Sequence, residues 1–193
     1  AATPLRPGGR GTSGGRRETL LKALFRERRV PGVKSLVFTR VELESNIPTL
    51  VGQIEARLGF PCFTKPANMG SSVGISKARN EAELHAALAA AARYDRKVIV
   101  EEGIDCREIE CGVLGNDGPI ASIPGEVVPS NEFYDYEAKY ISVGSSLLIP
   151  APVDDATARG IRRVAVEAFK AIDCAGMARV DSFRARGSGR VCG

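Results

Sequence analysis

Two short stretches carry side chains suited to phosphate chemistry. The first, residues 65–78, reads KPANMGSSVGISKA. Gly70 and Gly74 can present backbone N–H groups, Ser71 and Ser72 add hydroxyl donors, and Lys65 supplies a charge, which together could form a flap over phosphates. It is not a Walker loop, because that motif places its lysine after the glycines at the start of a helix. Taken alone, the loop fits an ordinary β-hairpin turn with a solvated lysine equally well. In the second stretch, MARVDSF at 177–183, the period of two along a strand puts Arg179 and Asp181 on one face. A guanidinium beside a carboxylate suits an oxyanion stabiliser next to a metal ligand, or a structural salt bridge.

Two further stretches bear on these. In VIVEEGIDCREIE, residues 98–110, an apolar strand meets two acids and a glycine, where a backbone hinge could read an adenine edge and Glu108 could point back at a ribose. The plainer alternative makes Glu108 and Glu110 the wet face of a strand. In NEFYDYEAKY, residues 131–140, Phe133, Tyr134, Tyr136 and Tyr140 surround Asp135, Glu137 and Lys139. Aromatic rings in so polar a loop need core or ligand to cover them, as a lid would.

These residues need a frame. Leu20, Leu21, Leu24 and Phe25 recur at helical spacing until Pro31 and Gly32, and VKSLVFT reads as a strand. A helix is predicted from about Pro48, with Leu50, Val51, Ile54 and Leu58 on one face and Gly59 as its stop. FPCFTK and VGISKA read as strands on either side of the glycine–serine loop. Asn80 and Glu83 form a capping-box-like start to an Ala-rich helix. KVIVEE, REIECGVLG, PIASIPGEVV and GMARVDSF are further strands, with an Asn-Asp-Gly turn at 116–118 and a helix over 155–173. Hairpin-linked strands outnumber helices, so the fold class is α+β with mostly antiparallel sheet.

Composition excludes several classes. The chain has 193 residues, 44% of them apolar, with 27 Lys and Arg against 23 Asp and Glu. Arg6, Arg10, Arg16 and Arg17 lie in the first 17 residues without an acid, leaving 23 against 23 beyond them. The body therefore lacks the basic footprint of a nucleic-acid binder. Residues 1–17, rich in Gly, Pro, Ser and Arg, are expected to be a disordered tail. Five cysteines with no C-x-x-C pair argue against a disulfide framework or zinc site and for a reducing, cytosolic setting. No apolar run reaches the ~20 residues of a membrane span. His85, on the Ala-rich helix, is expected to face solvent and carries no chemistry.

KPANMGSSVGISKA, VEEGIDCREIECGVLGN, FYDYEAKY and GMARVDSF, in this order and spacing, closely resemble the D-alanine–D-alanine ligases of the ATP-grasp superfamily, over about residues 18–191. The resemblance implies an ATP-grasp fold of two α+β subdomains with ATP between their sheets, here about 18–104 with the flap and an incomplete 105–193. It implies ATP and Mg2+ (or Mn2+) as cofactors, D-alanine as substrate, a cytoplasmic setting and a role in peptidoglycan synthesis. Carried over by position, Lys65 and Lys139 contact phosphates, Ser71 and Ser72 lie in the flap, and Glu101, Glu102 and Ile104 form the adenine hinge. Glu108 binds ribose, Phe133 and Phe183 line the adenine and phosphate region, and Asp181 binds metal. Arg179 steadies the tetrahedral intermediate, and Ser71 and Tyr140 join a hydrogen-bonded group. The YDYEAKY lid favours an amine over lactate as second substrate. The family commonly forms dimers, so a homodimer is an expectation.

The sequence also departs from the family. A whole N-terminal domain precedes the first helix in the family, and Arg17 or Glu18 stands where the family has an ATP-contacting lysine. The family's Asn-Glu-x-Asn segment, which completes the magnesium shell, would begin just after Gly193. Weak MgATP affinity with little or no D-alanyl-D-alanine formation is therefore the expectation. The alternatives are a non-catalytic ATP-binding remnant and another ATP-grasp carboxylate–amine ligase.

Overall fold

The computed structural model describes residues 18–68, 74–128 and 146–192, which form two compact units, one of residues 33–104 and one of residues 18–32, 105–128 and 146–192. The expected tail at 1–17, most of the flap including Ser71 and Ser72, and the lid with Phe133, Lys139 and Tyr140 lie outside the described residues.

In the unit of residues 33–104, β1 (Ser35–Thr39), β2 (Cys62–Pro66), β3 (Ser76–Ala78) and β4 (Lys97–Glu102) form an antiparallel sheet in the order β1-β4-β2-β3. Helices α2 (Arg40–Leu58) and α3 (Glu81–Tyr94) cover one face. Alternation in β2 buries Cys62, Thr64 and Pro66 and leaves Phe63 and Lys65 on the face away from the helices. Phe38, Ile54, Leu84, Leu88, Val98 and Val100 make the core of this unit. A fully buried aliphatic side chain of this kind contributes about 1.5–3 kcal/mol by leaving water.

Helix α2 begins earlier than the apolar pattern suggests. The Thr39 hydroxyl accepts from the Glu42 backbone N–H, and the Glu42 carboxylate accepts from the Thr39 N–H at 2.7 Å, a complete capping box. The helix is broken at Asn46, whose φ of −158° and ψ of 54° are non-helical, two residues before Pro48. A proline removes an N–H and crowds the preceding turn, so the kink falls there. The helix predicted from Pro48 is thus the second half of a longer one. At the start of α3, Asn80 Oδ1 accepts from the Glu83 N–H at 2.9 Å, while the Glu83 carboxylate reaches the Arg79 N–H, one residue before the cap.

The other unit holds α1 (Glu18–Glu27), α4 (Asp155–Ala171) and an antiparallel sheet. Its strands are β5 (Cys106–Gly115), β6 (Ile120–Ala121), β7 (Gly125–Val128), β8 (Ser146–Leu148), β9 (Gly176–Ala185) and β10 (Val191–Cys192), ordered β10-β9-β5-β7-β8, with β6 also on β5. PIASIPGEVV is therefore two short strands rather than one hairpin arm. Asp154 caps α4 through the Thr157 N–H at 2.8 Å, and Ile161, Ala165 and Phe169 bury against Ile109, Cys111 and Val113. Helix α1 has no fully buried residue: Leu20 is 45% exposed, and Phe25 packs with Val30, Val164 and Ala168.

Candidate functional site

Lys65 and Glu101 share one sheet face in their unit, and Glu108, Arg179, Asp181 and Phe183 share one in the other. In the unit of residues 33–104, Phe63 pairs with Glu101 and Lys65 with Ile99 across β2 and β4, so Phe63, Lys65, Ile99 and Glu101 share the face away from the helices. Lys65 Nζ lies 2.7 Å from Glu101 Oε2, with the two side chains only 17% and 13% exposed. Lys65 is therefore not the solvated lysine of a simple hairpin turn. Glu102 faces the other way. Its carboxylate accepts from the Lys34 N–H at 2.9 Å, and its own N–H donates to the Lys34 carbonyl.

Gly103, between Glu102 and Ile104, donates its N–H to the Pro61 carbonyl at 2.8 Å, and a Cβ there would stand 2.4 Å from that oxygen. Only glycine permits so close a backbone approach at the proposed adenine hinge. The root of the glycine–serine loop is tied by a group the motif reading passed over. Buried Asp95, at the C-terminal end of α3, accepts with Oδ2 from the Asn68 N–H at 2.8 Å and from Asn68 Nδ2 at 2.7 Å, and with Oδ1 from the Lys97 N–H at 3.2 Å.

In the other unit, register places Glu108 opposite Phe183, Glu110 opposite Asp181 and Gly112 opposite Arg179. Glu108, Glu110, Arg179, Asp181 and Phe183 thus share one sheet face, and Ile109, Cys111 and Val113 turn to the core on the other. The Arg179 guanidinium holds Asp181 in a two-point ion pair, Nε to Oδ1 at 2.6 Å and a terminal nitrogen to Oδ2 at 2.8 Å, and reaches Glu110 Oε1 at 3.3 Å.

On the opposite face stands a pair that the sequence reading did not single out. Arg107 donates from Nε and a terminal nitrogen to the two oxygens of Glu126, both at 2.6 Å, and also to the Pro152 carbonyl at 3.1 Å. The Arg107 hydrogen bonds hold the Glu126 carboxyl below its usual range against the opposing effect of burial. Alternation along CREIE was the available signal, because it turns Arg107 inward wherever Glu108 and Glu110 face outward. Burial lifts the Cys62 and Cys106 thiols to about 11, so neither offers a thiolate nucleophile near neutral pH. His85 is exposed, as expected.

Two antiparallel sheets, each with helices on one face and charged residues on the other, define an α+β fold. Residues 24–192 match the family model described as D-ala D-ala ligase C-terminus, and the chain belongs to that family. It is 53% identical over 174 residues to the D-alanine–D-alanine ligase of Heliobacterium modesticaldum, covering 90% of this chain and 48% of that protein. Against the D-alanine–D-alanine ligase of Acetivibrio thermocellus it is 51% identical over 170 residues, 88% of this chain and 45% of that one. Among solved structures, the VanG D-Ala:D-Ser ligase from Enterococcus faecalis aligns with a TM-score of 0.82 at 34% identity, over 95% of this chain and 52% of that one. The D-alanine–D-alanine ligase from Coxiella burnetii aligns with a TM-score of 0.77 at 28% identity. The chain spans about half the length of the curated relatives it matches.

Among the described residues no helix is long and apolar enough to cross a membrane.

Proposed function

We propose that this chain supplies the nucleotide-binding and phosphoryl-transfer part of a D-alanine–D-alanine ligase, which joins two D-alanines at the expense of ATP. The observation that carries this reading is the row Glu108, Glu110, Arg179, Asp181 and Phe183 on one sheet face, in a chain half identical to proteins of that name.

In this reading Lys65 and Lys139 hold the phosphates, with Ser71 and Ser72 closing over them. The backbone of Glu101, Glu102 and Ile104 reads the adenine, and Phe133 and Phe183 line the adenine and phosphate region. Glu108 accepts from the ribose. The carboxylate of one D-alanine takes the terminal phosphoryl group of ATP, and the amine of a second attacks the acyl phosphate and expels phosphate. Arg179 stabilises the negative oxygen that forms, while Ser71 and Tyr140 join a hydrogen-bonded group. Donors fixed before the reaction lower the barrier by holding the reacting groups together, a contribution that can reach ~7–11 kcal/mol.

Asp181 and Glu110, directly opposite one another on β9 and β5, are carboxylates of the kind Mg2+ or Mn2+ takes together with substrate phosphates, once Arg179, which pairs with both, gives way to the ion. Asp181 would hold the ion, which supplies neutralisation of phosphate charge. The setting of such an enzyme is the cytoplasm, and a homodimer follows the family.

Phosphate release from MgATP, with and without D-alanine, tests the proposal. It is measured on the purified chain and on the Heliobacterium modesticaldum ligase with its matched segment replaced by residues 18–192. Expected is D-alanine-dependent release in the hybrid, lost with Arg179→Ala. A folded hybrid that consumes no ATP with D-alanine would overturn the reading.

A further inference from the structure

Strand β7 is four residues long, and Gly125, Glu126 and Val127 are all buried. Alternation of buried and exposed side chains is what normally fixes the register of a strand, and here it is missing. Something else must hold Glu126 opposite Ile109 and Val127 opposite Glu108. The ion pair of Arg107 and Glu126 meets that need, because two parallel N–H to O bonds fix distance and direction together.

The charge pattern around the pair points the same way. Arg107 lies directly opposite Arg184 on β9, and two like charges in register repel. Glu126 offsets that repulsion only when β7 sits in its observed register. With side chains 16% and 8% exposed, the pair is costly to desolvate, and an apolar pair of similar volume would serve stability as well or better. Its value is therefore geometric. Arg107 also donates to the Pro152 carbonyl in the connection between β8 and α4, which ties a third segment to the same guanidinium.

We propose that Arg107 and Glu126 are positioning residues for the nucleotide site. They lock β7 and its partner β8 onto β5, so that Glu108, on the opposite face of the same strand, is presented in one arrangement. They also hold Val128 and Ser146, the paired residues that flank 129–145, at a fixed place on the sheet. The nucleotide part rests on the proposed function above; the register part does not.

The test uses the purified chain with four variants: the double variant Arg107→Met with Glu126→Leu, the single variants Arg107→Lys and Glu108→Gln, and Arg107→Lys combined with Glu108→Gln. Amide hydrogen exchange without nucleotide reads the register, and calorimetric titration with MgATP reads the site. The double variant should melt at or above the wild-type temperature, yet exchange at 125–128 and 146–148 should quicken by about tenfold or more. Arg107→Lys, which keeps the charge and loses the fork, should do the same to a smaller extent and weaken MgATP several-fold. That weakening should shrink or vanish when Glu108 is already Gln, because the two then act through one group. Wild-type exchange in either folded variant overturns the register role. Additive losses from Arg107→Lys and Glu108→Gln overturn the link to the nucleotide. Should the double variant fail to fold, Arg107→Lys decides alone. A wild-type chain that binds no MgATP would instead count against the functional reading, and exchange would still decide the register role.

Discussion

Arg179 and Asp181, two residues apart on β9, clasp each other through two bonds of 2.6 and 2.8 Å, with Glu110 3.3 Å from the guanidinium on the neighbouring strand. The side chains of Arg179 and Asp181 are 60% and 54% exposed, so the clasp itself adds at most about 1 kcal/mol to stability. Its consequence is chemical: the residue proposed to meet developing anion and the residue proposed to meet cation constrain each other. Asp181→Asn should leave the melting temperature nearly unchanged while the ratio of nucleotide affinities with and without Mg2+ falls towards one. A titration in which that ratio matches wild type would remove Asp181 from the metal site.

Asp95 ties the root of the glycine–serine loop. Asp95→Ala leaves the Asn68 and Lys97 N–H groups without their acceptor, a loss of about 1–3 kcal/mol in thermal or urea unfolding. Exchange at residues 67, 68 and 97 should quicken more than in the middle of α3. Uniform acceleration across the unit would mean that Asp95 serves global stability and no local anchoring.

How far the sequence carried these assignments depends on the kind of signal. Period-two and period-3.6 patterns marked the strands around Lys65 and Asp181 and the helix bearing Ile161 and Phe169, because apolar spacing reports directly on which face is buried. The pattern failed where chemistry replaced it. Residues 40–45 of α2 bury a single apolar side chain, Leu43, beside the Thr39 and Glu42 box, too little to show a repeat, so reading hydrophobic spacing alone started the helix at Pro48. Arg107, Glu126 and Asp95 escaped notice for a related reason: a buried ion pair or a loop-tying carboxylate depends on partners 19 and 27 residues away, which spacing along the chain does not display. The shared face of Arg179 and Asp181 was legible from alternation, whereas Glu110 as a third member came only from the register of β5 on β9.

Phe169 on α4 is 1% exposed at the centre of its unit, and Phe169→Ala should cost about 3–5 kcal/mol through lost burial and the cavity left behind. Leu20→Ala on the half-exposed face of α1 should stay within about 0.5–1 kcal/mol. Unfolding in urea compares the two, and similar losses would contradict the burial of α4 against β5.

Acid should loosen the unit that contains Glu126. Its carboxyl is held below its ordinary 4.5 chiefly by hydrogen bonds from Arg107, with the charges of Arg107, Arg186 and Arg184 acting in the same sense and burial against them. A depressed folded value means stabilisation that is full above the unfolded value and is lost as pH falls through the folded one. Melting temperature should therefore fall below about pH 4.5 and fall less in Glu126→Gln, which has nothing to protonate. Identical acid profiles for the two proteins would show that the pair does not contribute to acid stability.

Nucleotide binding at Lys65 tests the central claim most directly. In calorimetric titration with MgATP, the wild-type chain should bind at a single saturable site, and a folded Lys65→Ala variant should bind more weakly by about 1.5–3 kcal/mol, the loss of one charge-assisted contact. Equal affinity in the two proteins, with folding of both verified by their melting curves, would contradict the assignment of this sheet face to ATP.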